Sequence, residues 1–140
     1  MVGKKVVHKT YMSAKEAHYV GGLVNGARIV VQWGDVGTEL MVDVDGDISL
    51  FLGYEKIEFR APVYVGDFME YHGWFEKVGN SSRRMFFEAY KVIEAAKGEG
   101  LAVSAANVLN PPVLVGRADG ICVVPKDCQR GAQDPAFKLD

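Results

Sequence analysis

An α+β fold, in which an antiparallel β-sheet wraps around one long central helix, is predicted by three features of this sequence. The stretch from Gly21 to Met41, GGLVNGARIVVQWGDVGTELM, is nearly apolar, and its only charged side chains are Arg28, Asp35 and Glu39. Its apolar surface runs almost all the way round the cylinder, the inverse of an ordinary surface helix, so other structure must cover it. Several β-branched and aromatic segments follow, separated by short turn signals. A chain of 140 residues with 49% hydrophobic residues suits a single domain, 1–140, with a sizeable core.

Taken in order, Val2 to Met12 contains Val6, Val7, Thr10 and Tyr11 and reads as a first strand. Ser13 to Glu16 fits the S-x-x-E capping box, which can start a helical turn. His18, Tyr19 and Val20 then lead to Gly21 and Gly22, placed at the opening of the long helix. Inside it, Gly26, Gly34 and Gly37 each cost about 1 kcal/mol relative to alanine, which is tolerated where another backbone comes close. The acidic run Asp43, Asp45, Gly46, Asp47 is turn-forming and is expected to end the helix. It resembles a fragment of a calcium loop but lacks the spaced later ligands.

The apolar alternation at Ile48, Leu50, Leu52 and Tyr54 changes parity to Ile57 and Phe59, which predicts a bulge between Gly53 and Lys56. Ala61, Pro62, Val63 ends that strand, and Val65, Gly66, Asp67 is a turn. Phe68 to Val78 and Met85 to Ile93 are two further strands, joined as a hairpin across Gly79, Asn80, Ser81 and Ser82. Large side chains at both parities predict a sheet covered on both faces, with Trp33 and Trp74 in the core. Glu94 to Asn110 reads as a loop with a short extended end, Val113 to Pro125 as the last strand, and 126–140 as an irregular surface tail. A strand, a buried helix and an antiparallel meander are best packed when the sheet curls around the helix, which is the hotdog fold.

Composition narrows the function. A net charge of -2 argues against nucleic-acid binding. No apolar run is long and uninterrupted enough to span a membrane, and the first residues carry no signal-peptide core, so a cytoplasmic protein is expected. Cys122 and Cys128 read as free thiols, and His8, His18 and His72 lack any metal-ligand spacing, so no metal is expected.

Two features carry candidate chemistry. At about 100° per residue, Arg28, Gln32, Asp35 and Glu39 fall within roughly 60° of arc and form one polar seam. The seam is either a solvated strip or an active-site strip. Asp35 and Glu39 stand at i and i+4, where like charges repel, so the spacing does not serve the helix itself. The glycine pair is either a tight corner or a source of uncovered N–H groups at a helix start, able to receive a carbonyl oxygen that acquires negative charge.

HYVGGLVNGARIV (His18 to Val30), QWGDVGTEL (Gln32 to Leu40), FRAPVYVGDFMEYHGW (Phe59 to Trp74), KVGNSS (Lys77 to Ser82), NPPV (Asn110 to Val113) and VVPKDCQRG (Val123 to Gly131) together resemble the 3-aminobutyryl-CoA and β-alanyl-CoA ammonia lyases of amino-acid fermenting bacteria, as in lysine degradation. APVYVGD and KVGNSS are similar to hotdog acyl-CoA thioesterases as well. Thioesterases of that type carry a water-activating carboxylate close behind the glycine pair, whereas Leu23 to Ile29 here contains no acid.

The resemblance implies reversible loss of ammonium from a β-amino acyl-CoA. It implies Glu39 as base and Asp35 as ammonium holder, with the two roles exchangeable, and Gly21 and Gly22 as oxyanion donors. His18 and Tyr19 would line the acyl pocket or simply pack. Gly79, Asn80, Ser81, Ser82 and Arg83 would meet coenzyme A, unless the loop is an ordinary β-turn. No cofactor is implied beyond the coenzyme A that the substrate carries. The partners implied are the acyl-CoA, ammonium and further copies of the chain, as a homodimer unit within a hexameric trimer of dimers. An acyl-CoA thioesterase, a non-catalytic acyl-CoA binding protein and an enoyl-CoA hydratase are the competing functions.

Overall fold

The computed structural model describes residues 2–139. Its elements are β1 (Val6–Tyr11), two short 3-10 turns (Ala14–Glu16 and Val20–Gly22), α1 (Ala27–Asp45), β2 (Leu50–Phe59), β3 (Phe68–Val78), β4 (Ser82–Ala95), β5 (Ala106–Val123) and two more 3-10 turns (Lys126–Cys128 and Pro135–Phe137). The strands form one antiparallel sheet in the order β1-β3-β4-β5-β2, with β1 and β2 at the edges. No helix among the described residues is long and apolar enough to cross a membrane.

One face of α1 packs on the sheet. Ile29, Trp33, Val36, Gly37, Leu40, Met41 and Val44 are buried, the spacing of a single helical stripe. Trp33 is fully buried and donates its indole N–H to the carbonyl of Glu88 at 3.1 Å. Helix and sheet come close enough that a Cβ on Gly73 would lie 2.5 Å from Val36, and one on Gly37 would lie 2.8 Å from Phe51. Glycine is required at both positions for want of space.

The helix differs from its expected course in three ways. It starts at Ala27, because Gly21 and Gly22 adopt left-handed backbone (φ 81° and 77°) and Val24 donates to Val63 O at 2.8 Å, so Leu23 and Val24 form isolated β-bridges. It runs on to Asp45, whose carboxylate is buried against Arg83, and stops at left-handed Gly46, whose N–H returns to Val42 O at 2.9 Å. It is also covered on one side only within the protomer: Val31 is 55% exposed on the outward face.

One register shift in β2, between Tyr54 and Lys56, lies where the change of parity places it, and a second, between Phe51 and Gly53, lies just before it. β3 has the expected bounds, and the hairpin to β4 forms. Ser13 makes no capping bond, and Glu16 instead pairs with Arg28 at 3.5 Å. Trp74 is not in the core: it lies half-buried on the outer face of the sheet, with the Lys5 ammonium 4.9 Å above its ring.

The segment from Glu94 to Asn110 is a loop with an extended end, as expected: Ala95 closes β4, residues 96–105 are irregular, and the end from Ala106 belongs to β5, which thus starts well before Val113 and pairs Val108 with Ile93 and Ala106 with Ala95. The tail, apart from Asp140, which lies outside the described residues, is irregular but anchored. Gln133 N–H donates to Asp43 O and Arg130 N–H to Asp45 O, each at 2.9 Å. Phe137 is fully buried, edge-on to Phe75 with ring centroids 6.1 Å apart.

The buried phenyl ring makes the tail part of the core. Phe137→Ala is expected to destabilise the protein by about 3–5 kcal/mol in chemical denaturation, whereas a loss below about 1 kcal/mol would mean that the tail does not pack there.

Candidate active site

Three groups of sequence-predicted residues occupy three different places. The glycine pair lines a cavity of about 450 Å³ with Tyr64, Val65, Asp67, Lys91, Glu94 and Lys97. Its left-handed conformation requires glycine even though a Cβ on Gly21 would meet nothing within 4 Å. The pair does not open the long helix. The first helical N–H groups are already taken, Ala27 by the side-chain oxygen of Asn25, Arg28 by Asn25 O, and Ile29 and Val30 by Gly26 O. The donors proposed for a carbonyl oxygen therefore belong to the turn and not to the helix dipole.

The cavity brings in residues that sequence reasoning missed. Lys91 is 7% exposed and its ammonium lies 3.1 Å from the Asp67 carboxylate, which also accepts from Tyr64 N–H at 2.7 Å. Lys91 and Lys97 both stand over the Tyr64 ring, at 5.7 and 5.3 Å. Strand alternation carries the signal for Lys91, since it shares the inward parity of Met85, Phe87 and Ala89. Tyr19 lines a neighbouring apolar cavity of about 430 Å³ with Leu23, Ile29, Phe59 and Pro62. His18 is exposed and sits edge-on to Tyr19 at 5.0 Å.

Asp35 and Glu39 lie on the outward face of α1, both exposed in the protomer, and neither lines the glycine-pair cavity. Glu39 is held by His8 of β1, whose Nε2 is 3.0 Å from one carboxylate oxygen. His8 was legible only as an inward-parity residue of an edge strand. One turn further on, burial pushes the Asp43 carboxyl above the usual aspartate range, with Glu39 and Asp134 adding repulsion and Lys4 opposing it. The seam thus continues as an acidic strip, Asp35, Glu39, Asp43, along one side of the helix.

The hairpin loop Gly79–Ser82 presents Asn80, Ser81 and Ser82 to solvent. Arg83, grouped with it in the sequence, is instead turned inward and 1% exposed. Its Nε and Nη2 donate to the two carboxylate oxygens of Asp45, each at 2.9 Å. The expected coenzyme contact by Arg83 is therefore corrected: the planar guanidinium finds its planar partner inside the protein and is not available to a ligand.

Neither cysteine is placed for nucleophilic chemistry. Burial pushes the Cys122 thiol up to about 12, with a Ser49 hydrogen bond opposing, and burial with Asp127 and Asp47 raises Cys128. No cluster of metal-binding side chains is present among the described residues.

No family model matches the chain. It is 52% identical over 126 residues to the 3-aminobutyryl-CoA ammonia lyase of Acetoanaerobium sticklandii, covering 90% of this chain and 98% of that protein. Among solved structures it matches β-alanyl-CoA:ammonia lyase from Clostridium propionicum at 65% identity with a TM-score of 0.94, over 99% of this chain and 96% of that one. A hexameric hotdog fold thioesterase of Campylobacter jejuni matches at 17% identity with a TM-score of 0.69, over 89% and 86%. That likeness is one of fold alone.

The thiol environment can be checked directly. In a Cys128→Ala variant, Cys122 is expected to resist iodoacetamide at mildly alkaline pH until denaturant is added, and rapid labelling of the native protein would contradict its burial.

Proposed function

Because the chain belongs to the family of 3-aminobutyryl-CoA and β-alanyl-CoA ammonia lyases, we propose that it is a carbon–nitrogen lyase acting reversibly on a β-amino acyl-CoA. 3-Aminobutyryl-CoA would give crotonyl-CoA, or β-alanyl-CoA would give acryloyl-CoA. The observation that carries this reading is 65% identity to a β-alanyl-CoA ammonia lyase across 99% of the chain. The thioesterases of this fold are related only at the level of architecture.

The chemistry asks for three things. A base removes the proton α to the thioester, the carbonyl oxygen takes up the resulting negative charge, and the carbonyl re-forms as the carbon–nitrogen bond breaks and the nitrogen leaves with its electron pair. Glu39 is assigned the proton and Asp35 the substrate ammonium, with the two roles exchangeable. The Gly21 and Gly22 N–H groups are assigned the oxygen. The thioester itself supplies the acidity, so the reaction calls for no prosthetic group or metal.

These acids are exposed in a single protomer, and the site is assigned to the boundary between two copies. Support comes from the apolar surface left open in the protomer, Val31 at 55% on α1 and Leu50 and Leu52 at 61% and 63% on the edge strand β2. A second copy covering that surface would exclude the water in which a carboxylate and an ammonium separate. The homodimer is the proposed unit and a trimer of dimers the proposed assembly, in the cytoplasm where acyl-CoA substrates are used.

The test is an enoyl-CoA assay. Crotonyl-CoA or acryloyl-CoA with ammonium should lose its enoyl absorbance in the presence of the protein, and Asp35→Asn or Glu39→Gln should lower kcat by about 10²–10⁴. Unchanged absorbance with both substrates, at high ammonium and alkaline pH, would refute the reading. Release of free thiol would identify a thioesterase, and loss of absorbance without ammonium a hydratase.

A further inference from the structure

The hairpin loop Gly79–Ser82 is held in an unusual way for an exposed turn: each of its four carbonyl oxygens is taken by the protein itself. Arg83 Nη1 donates to Gly79 O at 2.5 Å and to Ser82 O at 3.1 Å, and Ser82 O also accepts from Gly79 N–H at 2.8 Å. The side-chain amide of Gln129, from the tail segment, donates to Asn80 O at 2.7 Å and to Val124 O at 3.1 Å. Val124 N–H donates to Ser81 O at 2.8 Å. Arg83 cannot drift from this task, because its other nitrogens hold the buried Asp45 carboxylate.

The outward side of the loop is left with donors. The N–H groups of Asn80 and Ser81 make no hydrogen bond to another described residue, and neither do the Asn80 amide and the Ser81 and Ser82 hydroxyls. All three side chains are exposed. A carbonyl turned outward would repel an acceptor-rich ligand, so a turn with every carbonyl capped from behind presents a surface that complements oxygen acceptors.

We propose that Gln129 and Arg83 are positioning residues for coenzyme A. By capping the carbonyls of Gly79, Asn80 and Ser82, they leave the loop with no free main-chain acceptor, so that its free N–H groups and its adaptable side-chain donors face the acceptor oxygens of the coenzyme chain. The inference rests on the acyl-CoA reading above and adds to it two residues that do not touch the ligand, one of them in the tail. The oxygens concerned are either those of the phosphates or those of the pantetheine amides, which share the same chemistry.

Gln129→Leu keeps the side chain's bulk, removes the donor to Asn80 O and lies outside the core; Gln129→Glu removes the same donor and adds a charge. Calorimetric binding of free CoA is expected to weaken about tenfold in Gln129→Leu and further in Gln129→Glu, with the thermal midpoint little changed. In turnover, the crotonyl thioester of CoA should show a raised KM at nearly constant kcat, while the N-acetylcysteamine thioester, which keeps only the amide nearest the sulfur and lacks the rest of the coenzyme chain, should be unaffected. Loss with CoA but not with the pantetheine thioester assigns the phosphate oxygens, and equal loss with both assigns the amides. CoA binding that is absent in the wild type or unaltered by both variants overturns the proposal, as does an equal penalty on all three thioesters. If CoA binds and the variants weaken it while no thioester turns over, the loop assignment stands and the lyase reading alone fails.

Discussion

Two buried charges, Asp45 and Arg83, set the end of the helix, the aim of the hairpin loop and the docking of the tail. Removing either would leave the other charge unpaired in the interior, a loss of about 3–5 kcal/mol, while the intact pair contributes little net stability after desolvation. Its value is geometric. The guanidinium reaches from the first residues of β4 to the last residue of α1 and, in the same plane, to the loop carbonyls. The tail closes the arrangement through Arg130 N–H on Asp45 O.

With that corner held, the protomer divides into a dry inside and an unfinished outside. The inner face of the sheet and one stripe of the helix form the core around Trp33 and Phe87, close-packed to the point where Gly37 and Gly73 admit no side chain. The opposite stripe of the helix carries the acidic strip and Val31, and the edge strand β2 carries exposed leucines. The buried stripe is wider than its exposed counterpart, which accounts for a helix whose charged residues are confined to one narrow seam.

The same architecture serves thioesterases and lyases, so the reaction must be argued from side chains. In this chain no acid stands between Leu23 and Ile29, and the carboxylates arrive further along the helix at Asp35 and Glu39. The glycine pair, by contrast, sits in a turn beside a buried lysine–aspartate pair. The residues proposed for acid–base work and for carbonyl binding are thus carried on separate elements, and Asp35 and Glu39 do not line the glycine pair's cavity.

The sequence alone determined the elements whose signal is local. The parity change in β2, the bounds of β3 and the hairpin at Gly79 to Ser82 follow from alternation and turn chemistry within a few residues, and motif combinations marked the lyase family. Tertiary contacts decided the rest. Leu23 and Val24 are as apolar as a helix start should be, but strand partners at Tyr64 and Val63 outcompeted helix propagation. Asp45 reads as a helix breaker until Arg83, distant in sequence, neutralises it. That the extended end from Ala106 to Asn110 is continuous with the last strand was not legible, because pairing between β4 and β5 supplies what propensity does not. Arg83 turned from ligand contact to scaffold, His8 became the partner of Glu39, and Gln129 became the cap of Asn80, because hydrogen bonds between residues far apart in the chain leave no periodic trace in a single sequence.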